Sequence, residues 1–251
     1  MSNSFVGHQS FHRIIDPLVL NNIHSCIISS DLSSPSSVTP LSGLSKHKTP
    51  FSLGSFNALF HPLIYHSTLL ALIRDLFQSH DVIPIQTGIL TKAAGAPATP
   101  WHRDRDHLPI STNVLSAWIP LTPIRPQESI IYADRTASID PILSQVHRDN
   151  PFDDVQHKYF SPLSCGGSLV PGDVDIHDGH IWHMAPANDT NQVRIAVGVA
   201  YVPLGSRIDL ASRGFDCLSG LPVRLDILAS NFPGLSDGDL IPYDPLTDST
   251  H

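Results

Sequence analysis

Charge is scarce in this sequence: Asp, Glu, Lys and Arg make up 15% of the 251 residues, well under the quarter typical of soluble proteins. The formal balance of −8 leaves no basic excess for holding nucleic acid or an anionic membrane surface, so neither is expected as a partner. Cysteine is scarce too. Cys26, Cys165 and Cys217 are odd in number, far apart and in no CxxC pair, which reads as reduced thiols and excludes a disulfide framework. No apolar run approaches the length of a membrane span, and the opening MSNSFVGHQSFHRIIDP lacks the apolar core of a signal peptide. A cytoplasmic protein is expected. There is no internal repeat and no nucleophile motif such as GxSxG. Helices do not alternate with strands after residue 82, which counts against a parallel α/β sheet.

Proline is plentiful, with 22 residues. Few charges and many prolines suggest short strands and long loops. At this length one domain is expected, spanning 1–251, large enough to bury a core without disulfides or structural metals. Residues 1–81 read as helical support. The spacing predicts a helix over 17–29, with Asp16 as N-cap and Pro17 behind it, and another over 62–78 with Leu63, Leu69, Leu70, Ile73 and Phe77 along one side. Between them, the Ser-, Pro- and Gly-rich stretch 30–56 reads either as a surface loop or as a lid over an active site.

From about 82 to 204 the texture is β. Seven short runs (VIPIQTGIL, VLSAWIPLT, SIIYAD, GSLV, DVDIHD, HIWHMA, VRIAVGVAYVPL) are separated by Pro, Gly and Asp turns, which predicts a two-sheet jelly roll or barrel. Residues 205–251 read as irregular, with a short helix expected at 221–230.

Two places carry chemistry. In Trp101-His102-Arg103-Asp104, an extended backbone would put His102 and Asp104 on one side, and Arg103 and Arg105 on the other. The second is GDVDIHDGHIWH, residues 172–183, in which an Asp178-Gly179 turn predicts a hairpin that ends at His183. Arg194 opens the next apolar run, so it is expected beside His183 in the sheet. Two imidazoles and one carboxylate on one face of a metal leave three positions open, the facial triad of non-haem iron(II) oxygenases. His177 and His180 are read as non-ligands. The run HRDRDH also resembles the HxHxDH motif of metallo-β-lactamase-type zinc hydrolases, which would use His102, Asp104, Asp106 and His107. There, however, Asp104 stands where a His is needed.

The pattern WHxD, a long gap, GDxxxxDGxxxH, an Asn-containing turn and an Arg eleven residues past the His resembles the phytanoyl-CoA dioxygenase family over roughly residues 86–204. That resemblance implies a mainly β fold with N-terminal α-helices, a double-stranded β-helix of the cupin-like jelly-roll kind. It implies Fe(II) held by His102, Asp104 and His183, with 2-oxoglutarate and O2 as cosubstrates and Arg194 pairing with the far carboxylate of 2-oxoglutarate. Gln86 and Trp118 fall where members line the cosubstrate pocket. Tyr132 and Trp182 are read as pocket walls on the substrate side, with Arg105 at the lip. The implied activity is oxidation of an unactivated C–H bond with release of succinate and CO2. Desaturation, ring closure or epimerisation at the same iron site, with or without 2-oxoglutarate, are alternatives. Two departures stand out: Ala185 replaces the hydroxyl residue common two places past the distal His, and Tyr132-Ala133-Asp134-Arg135 replaces PGSH. A small molecule, an amino acid or a secondary metabolite, is the expected substrate, because no basic cluster suits a CoA thioester.

Overall fold

A computed structural model describes residues 5–29, 45–48, 57–133, 163–212, 232 and 234–242. An edge strand β1 (His8–Phe11) and helix α1 (Pro17–Ser29) come first, then β2 (Ser45–Lys48), α2 (Asn57–Ile64) and α3 (Ser67–Phe77). The rest is β: β3 (Val82–Lys92), β4 (Thr99–His102), β5 (Leu115–Pro120), β6 (Ile131–Ala133), β7 (Leu163–Cys165), β8 (Val174–Asp178), β9 (His183–Ala185) and β10 (Arg194–Pro203). One sheet has the order β1-β8-β5-β10-β3-β2, the other β4-β9-β6-β7, and every strand pair is antiparallel. From β3 onward the chain passes back and forth between the sheets. That winding makes the fold a double-stranded β-helix, mainly β with N-terminal helices, as the sequence predicted.

Strand alternation decides what each face does. On the larger sheet Leu115, Ala117, Ile119, Ile176, Ile195, Val197, Val199 and Tyr201 face outward into one cluster with Leu20, Ile23 and Ile27 of α1 and Leu69 and Ile73 of α3. Each Leu, Ile or Val among them, fully buried, contributes about 1.5–3 kcal/mol. The alternate residues face the second sheet. A smaller apolar plug of Ile83, Ile110, Val114, Val202, Ile208 and Phe232 forms a separate cluster around the Val202 end of β10.

Helix α1 matches its predicted bounds, with the Asp16 carboxylate accepting the Leu18 N–H at 2.8 Å. The single helix expected over 62–78 is instead two. His66 takes an extended backbone (φ −59°, ψ 123°), and the carbonyl of Ile64 at the break accepts the Tyr201 hydroxyl at 2.7 Å. Pro62 lies inside α2, where it removes one intrahelical hydrogen bond. The break lets Leu63, Ile64, Leu69 and Ile73 all reach one core.

The 172–183 hairpin does not form. β8 lies in the larger sheet and β9 in the smaller, so the Asp178-Gly179 turn carries the chain across the sandwich. For the same reason Arg194 on β10 is not in the sheet of His183. Of the seven predicted strands, GSLV is only a bridge between Leu169 and Ile124. Strands β1, β2, β4 and β7 were not among the seven runs; each is three or four residues long, too short to show a period. Apart from Ser45–Lys48, which pairs with β3, the 30–56 segment lies outside the described residues, as does the helix expected at 221–230. No described helix is long and apolar enough to cross a membrane.

Candidate metal centre

The inner faces of the two sheets are polar where the outer faces are not. On the smaller sheet His102 of β4 and His183 of β9 are cross-strand partners with ring centroids 4.2 Å apart. Asp104 does not continue the strand: it opens a 3-10 turn, Asp104–His107. The turn is held by the Arg105 N–H, which donates to the Gly179 carbonyl at 3.0 Å. A Cβ on Gly179 would come within 3.1 Å of Val114 Cβ and 3.2 Å of its carbonyl, so the close approach selects glycine. Arg103 keeps an extended backbone (φ −123°, ψ 134°), so His102 and Asp104 point to one side and Arg103 to the other, as the spacing suggested; the 3-10 turn ends that alternation only from Asp104 onward.

Asp104 Oδ1 lies 3.8 Å from His102 Nε2 and 3.6 Å from His183 Nε2. One ligand atom from each of the three residues lies within 4.8 Å of the others, the only such group of His, Cys, Asp or Glu among the described residues. Burial opposes ionisation of Asp104, but the surrounding imidazoles of His183, His177 and His102 and a hydrogen bond from His177 outweigh it. Its carboxyl is held well below the usual carboxylate range. Burial, with His102 and His177 nearby, pushes His183 well below the ordinary histidine value despite the opposing pull of Asp104. The result is a carboxylate beside a neutral imidazole, the protonation state a divalent cation needs. His183 Nδ1–H donates to the Ile181 carbonyl at 3.1 Å, which leaves the Nε2 lone pair for a metal. Two nitrogen donors and one carboxylate fit iron(II) with positions to spare.

The second carboxylate oxygen is already engaged. Asp104 Oδ2 accepts two hydrogen bonds, from Ser116 Oγ at 2.5 Å and from His177 Nε2 at 3.0 Å. Behind His177, the Tyr132 hydroxyl sits 3.3 Å from its Nδ1 and donates to Asp175 Oδ1 at 3.0 Å. Asp175 Oδ2 receives Ser10 Oγ at 3.0 Å, and the His8 ring stacks on Tyr132 at 3.9 Å.

The burial pattern shows where solvent enters. In β3, β5 and β10, otherwise almost wholly buried, Gln86, Leu90, Trp118 and Gly198 are half-buried. All four belong to the inward-facing set, and Gly198 is the register partner of both Trp118 and Gly88. They mark a cleft between the sheets. Further along the same inner face Lys92 and Arg194 are direct register partners, 7% and 8% exposed. Lys92 Nζ donates to the carbonyls of Ala185 and Pro186, and Arg194 to those of Glu128 and Pro186. Arg194 Nε has no hydrogen-bond partner. Burial, and next the charge of Arg194, lower Lys92 from 10.5 to about 7.

Several expected roles need correction. Trp182 packs with Trp101 and Ala133 on the reverse face of the smaller sheet, 1% exposed, so it cannot wall the cleft. Tyr132 is fully buried behind the triad, where it holds its neighbours and offers no surface to a substrate. Arg103, pointing away from the site, forms a two-point ion pair with Asp106 at 2.7 and 3.1 Å, both side chains buried, and its guanidinium lies 5.3 Å from the Trp182 ring. That pair removes Asp106 from any zinc site. Arg105 is half-buried and donates to the Leu108 carbonyl at 2.8 Å. His180 bonds to Asn113 and Asp178, away from the triad. Asn188 is buried, and its amide donates to the carbonyls of Lys92, Ala93 and Gln192.

Sequence reasoning missed Ser116 and Lys92, and it set His177 aside as a non-ligand without seeing its bond to Asp104. The usable signal lay in DVDIHD and LSAWIP: a polar residue at every second place of an apolar strand points inward.

No protein-family model and no curated protein sequence matches the chain. Solved structures do. SnoN from nogalamycin biosynthesis, described as a non-heme alpha ketoglutarate dependent epimerase, is 18% identical over 95% of this chain and 92% of its own, with a TM-score of 0.70. The carbocyclase SnoK from the same biosynthesis is 18% identical over 95% and 90%, with a TM-score of 0.71. HygX from Streptomyces hygroscopicus, with nickel and 2-oxoglutarate bound, is 15% identical over 79% and 83%, with a TM-score of 0.60. At these identities the shared property is the fold.

Proposed function

We propose that the protein is an iron(II)- and 2-oxoglutarate-dependent oxygenase of small molecules, related to the phytanoyl-CoA dioxygenase family, in a single domain with residues 82–204 as its catalytic core. The observation that carries this reading is the convergence of His102, Asp104 and His183 at one open-sided point, with an incompletely satisfied buried cation, Arg194, on the same inner face. Bound iron(II) would supply the redox chemistry that couples decarboxylation of 2-oxoglutarate by O2 to oxidation of a substrate.

The chain's own residues do the rest. His102, Asp104 and His183 hold the ion. Arg194, assisted by Lys92, binds the far carboxylate of 2-oxoglutarate, because a guanidinium fork matches a carboxylate and both cations otherwise spend their donors on backbone carbonyls. Gln86 and Trp118 line the cleft that receives it. The structures of SnoN and SnoK favour a second reading on the same site, in which the oxidation ends in epimerisation or ring closure and not hydroxylation. A zinc hydrolase is disfavoured by the Arg103–Asp106 pair. The test is succinate release with iron(II), 2-oxoglutarate and oxygen, run beside the same protein loaded with zinc. Succinate from the iron form alone supports the proposal, and none from either removes it.

A further inference from the structure

The two oxygens of Asp104 have separate tasks. Oδ1 faces the imidazole nitrogens of His102 and His183, while Oδ2 is taken by Ser116 and His177. An ionised carboxylate only accepts hydrogen bonds, so both neighbours donate to it. A carboxylate whose two oxygens are both free can bind a divalent ion through either one or both, and through both it occupies one more coordination position. We propose that His177 and Ser116 are positioning residues that confine Asp104 to one-oxygen ligation, and so keep three adjacent metal positions open. The inference rests on the metal reading above and concerns how the chain's own side chains define the ion's free positions.

The rest of the network supports it. His177 is 3% exposed, and the Tyr132 hydroxyl lies 3.3 Å behind its Nδ1; Tyr132 is held in turn by its hydrogen bond to Asp175 and by the stacked His8 ring, and Asp175 by Ser10. The backing is itself packed without slack: a Cβ on Gly166 would lie 2.1 Å from Asp175 Oδ2 and 2.7 Å from Ser129 Oγ. Such a load of buried polar groups is costly unless each is paired. It is hard to account for behind a carboxylate that only needed to exist, and easy to account for behind one whose second oxygen must be kept off the metal.

The test uses the whole protein loaded with nickel(II), which is redox-inert, without oxygen. Four forms are compared: wild type, His177→Gln, His177→Leu, and His177→Leu with Ser116→Ala. Nickel affinity and 2-oxoglutarate affinity are measured by calorimetry, and crystal structures of the nickel forms read the ligation of Asp104. Circular dichroism verifies folding; the glutamine variant keeps an N–H donor if the leucine variants fold poorly. Wild type and His177→Gln are expected to bind nickel through Oδ1 alone. In the double variant both oxygens should bind nickel, with nickel affinity equal or higher and 2-oxoglutarate affinity at least tenfold lower. One-oxygen ligation in the folded double variant, or two-oxygen ligation in wild type, overturns the inference while leaving the metal site standing. Parallel loss of nickel and 2-oxoglutarate affinity in His177→Leu also overturns it, since that marks His177 as a ligand or a purely structural support. No nickel uptake by wild type overturns both this inference and the metal reading. Nickel uptake without 2-oxoglutarate binding removes the cosubstrate alone, and the crystal structures then decide the ligation by themselves.

Discussion

Lys92 and Arg194 stand opposite each other on β3 and β10 and share the carbonyl of Pro186 as a hydrogen-bond acceptor. Among the described residues no carboxylate is hydrogen-bonded to either. Two cations side by side and buried repel one another, and an anion between them relieves that repulsion. Replacing Arg194 by Met keeps the apolar stem and removes the fork. A hydrogen bond to a charged group contributes about 1.5–3 kcal/mol, or about ten- to 150-fold in affinity. Arg194→Met is expected to weaken 2-oxoglutarate binding by at least that factor while nickel affinity stays near wild type. Calorimetry of both ligands on one preparation checks this; an unchanged 2-oxoglutarate affinity rules out the assigned subsite.

Lys92 also makes a pH prediction. Its value in the fold, about 7, lies below the ordinary 10.5 because burial and Arg194 disfavour its charge. Between those two values the unfolded chain holds the proton and the folded chain does not, so this group makes stability rise with pH there. Below pH 7 both states are protonated and the full penalty applies. The slope is at most about 1.4 kcal/mol per pH unit. Urea unfolding of the metal-free protein across pH 6–9 should show it, and Lys92→Met should flatten it. A bound anion restores the charged form, so 2-oxoglutarate binding near pH 8 should take up close to one proton, read from calorimetry in two buffers of different ionisation enthalpy.

Asp104 and Asp106 are two residues apart and should fail in opposite ways. Asp104→Ala is expected to abolish nickel binding with the fold retained, since it removes a ligand and the one negative charge at the point. Asp106→Ala should keep one nickel per chain but lose about 3–5 kcal/mol of stability, the usual consequence of breaking a buried ion pair. Metal titration and thermal unfolding of both variants test this. Loss of nickel in Asp106→Ala would revive the zinc-hydrolase arrangement.

Asn188 pins the loop between β9 and β10 to the end of β3 through the carbonyls of Lys92 and Ala93, and closes the loop on itself through that of Gln192. An acceptor left unsatisfied on burial costs about 1–3 kcal/mol. Asn188→Ala is therefore expected to lower stability by a few kcal/mol and to weaken 2-oxoglutarate binding, because that loop supplies the Pro186 carbonyl held by Lys92 and Arg194. Stability equal to wild type in urea would show the pin to be dispensable.

The sequence made legible those features set by local period and by residue chemistry. Short apolar and alternating runs between turn residues located β3, β5 and β10, and the apolar spacing placed α1. The donor set His102, Asp104 and His183 was visible because few other chemistries need that combination. Illegible features depend on which strands meet. β8 and β9 alternate like a hairpin, and nothing local reports that the chain changes sheets between them. Trp182 and His183 are neighbours in sequence on opposite faces, so direction decided that one packs outward and the other reaches the site. His177 was seen and read as a non-ligand, but its bond to Asp104 joins residues 73 apart.

The centre is also a strap across the sandwich. His102 and His183 belong to the smaller sheet, whereas His177 and Ser116, which grip the Asp104 carboxylate, belong to the larger. An ion seated there resists parting of the two layers, so occupancy should be readable as heat resistance: about 2.7 kcal/mol when the free ion is a hundred times its Kd. The coupling runs both ways. Trimming Ile208 or Phe232 in the apolar plug, which touches no ligand, should slacken the layers and loosen the grip on the ion, a mechanical effect on affinity transmitted through the closure of the sandwich.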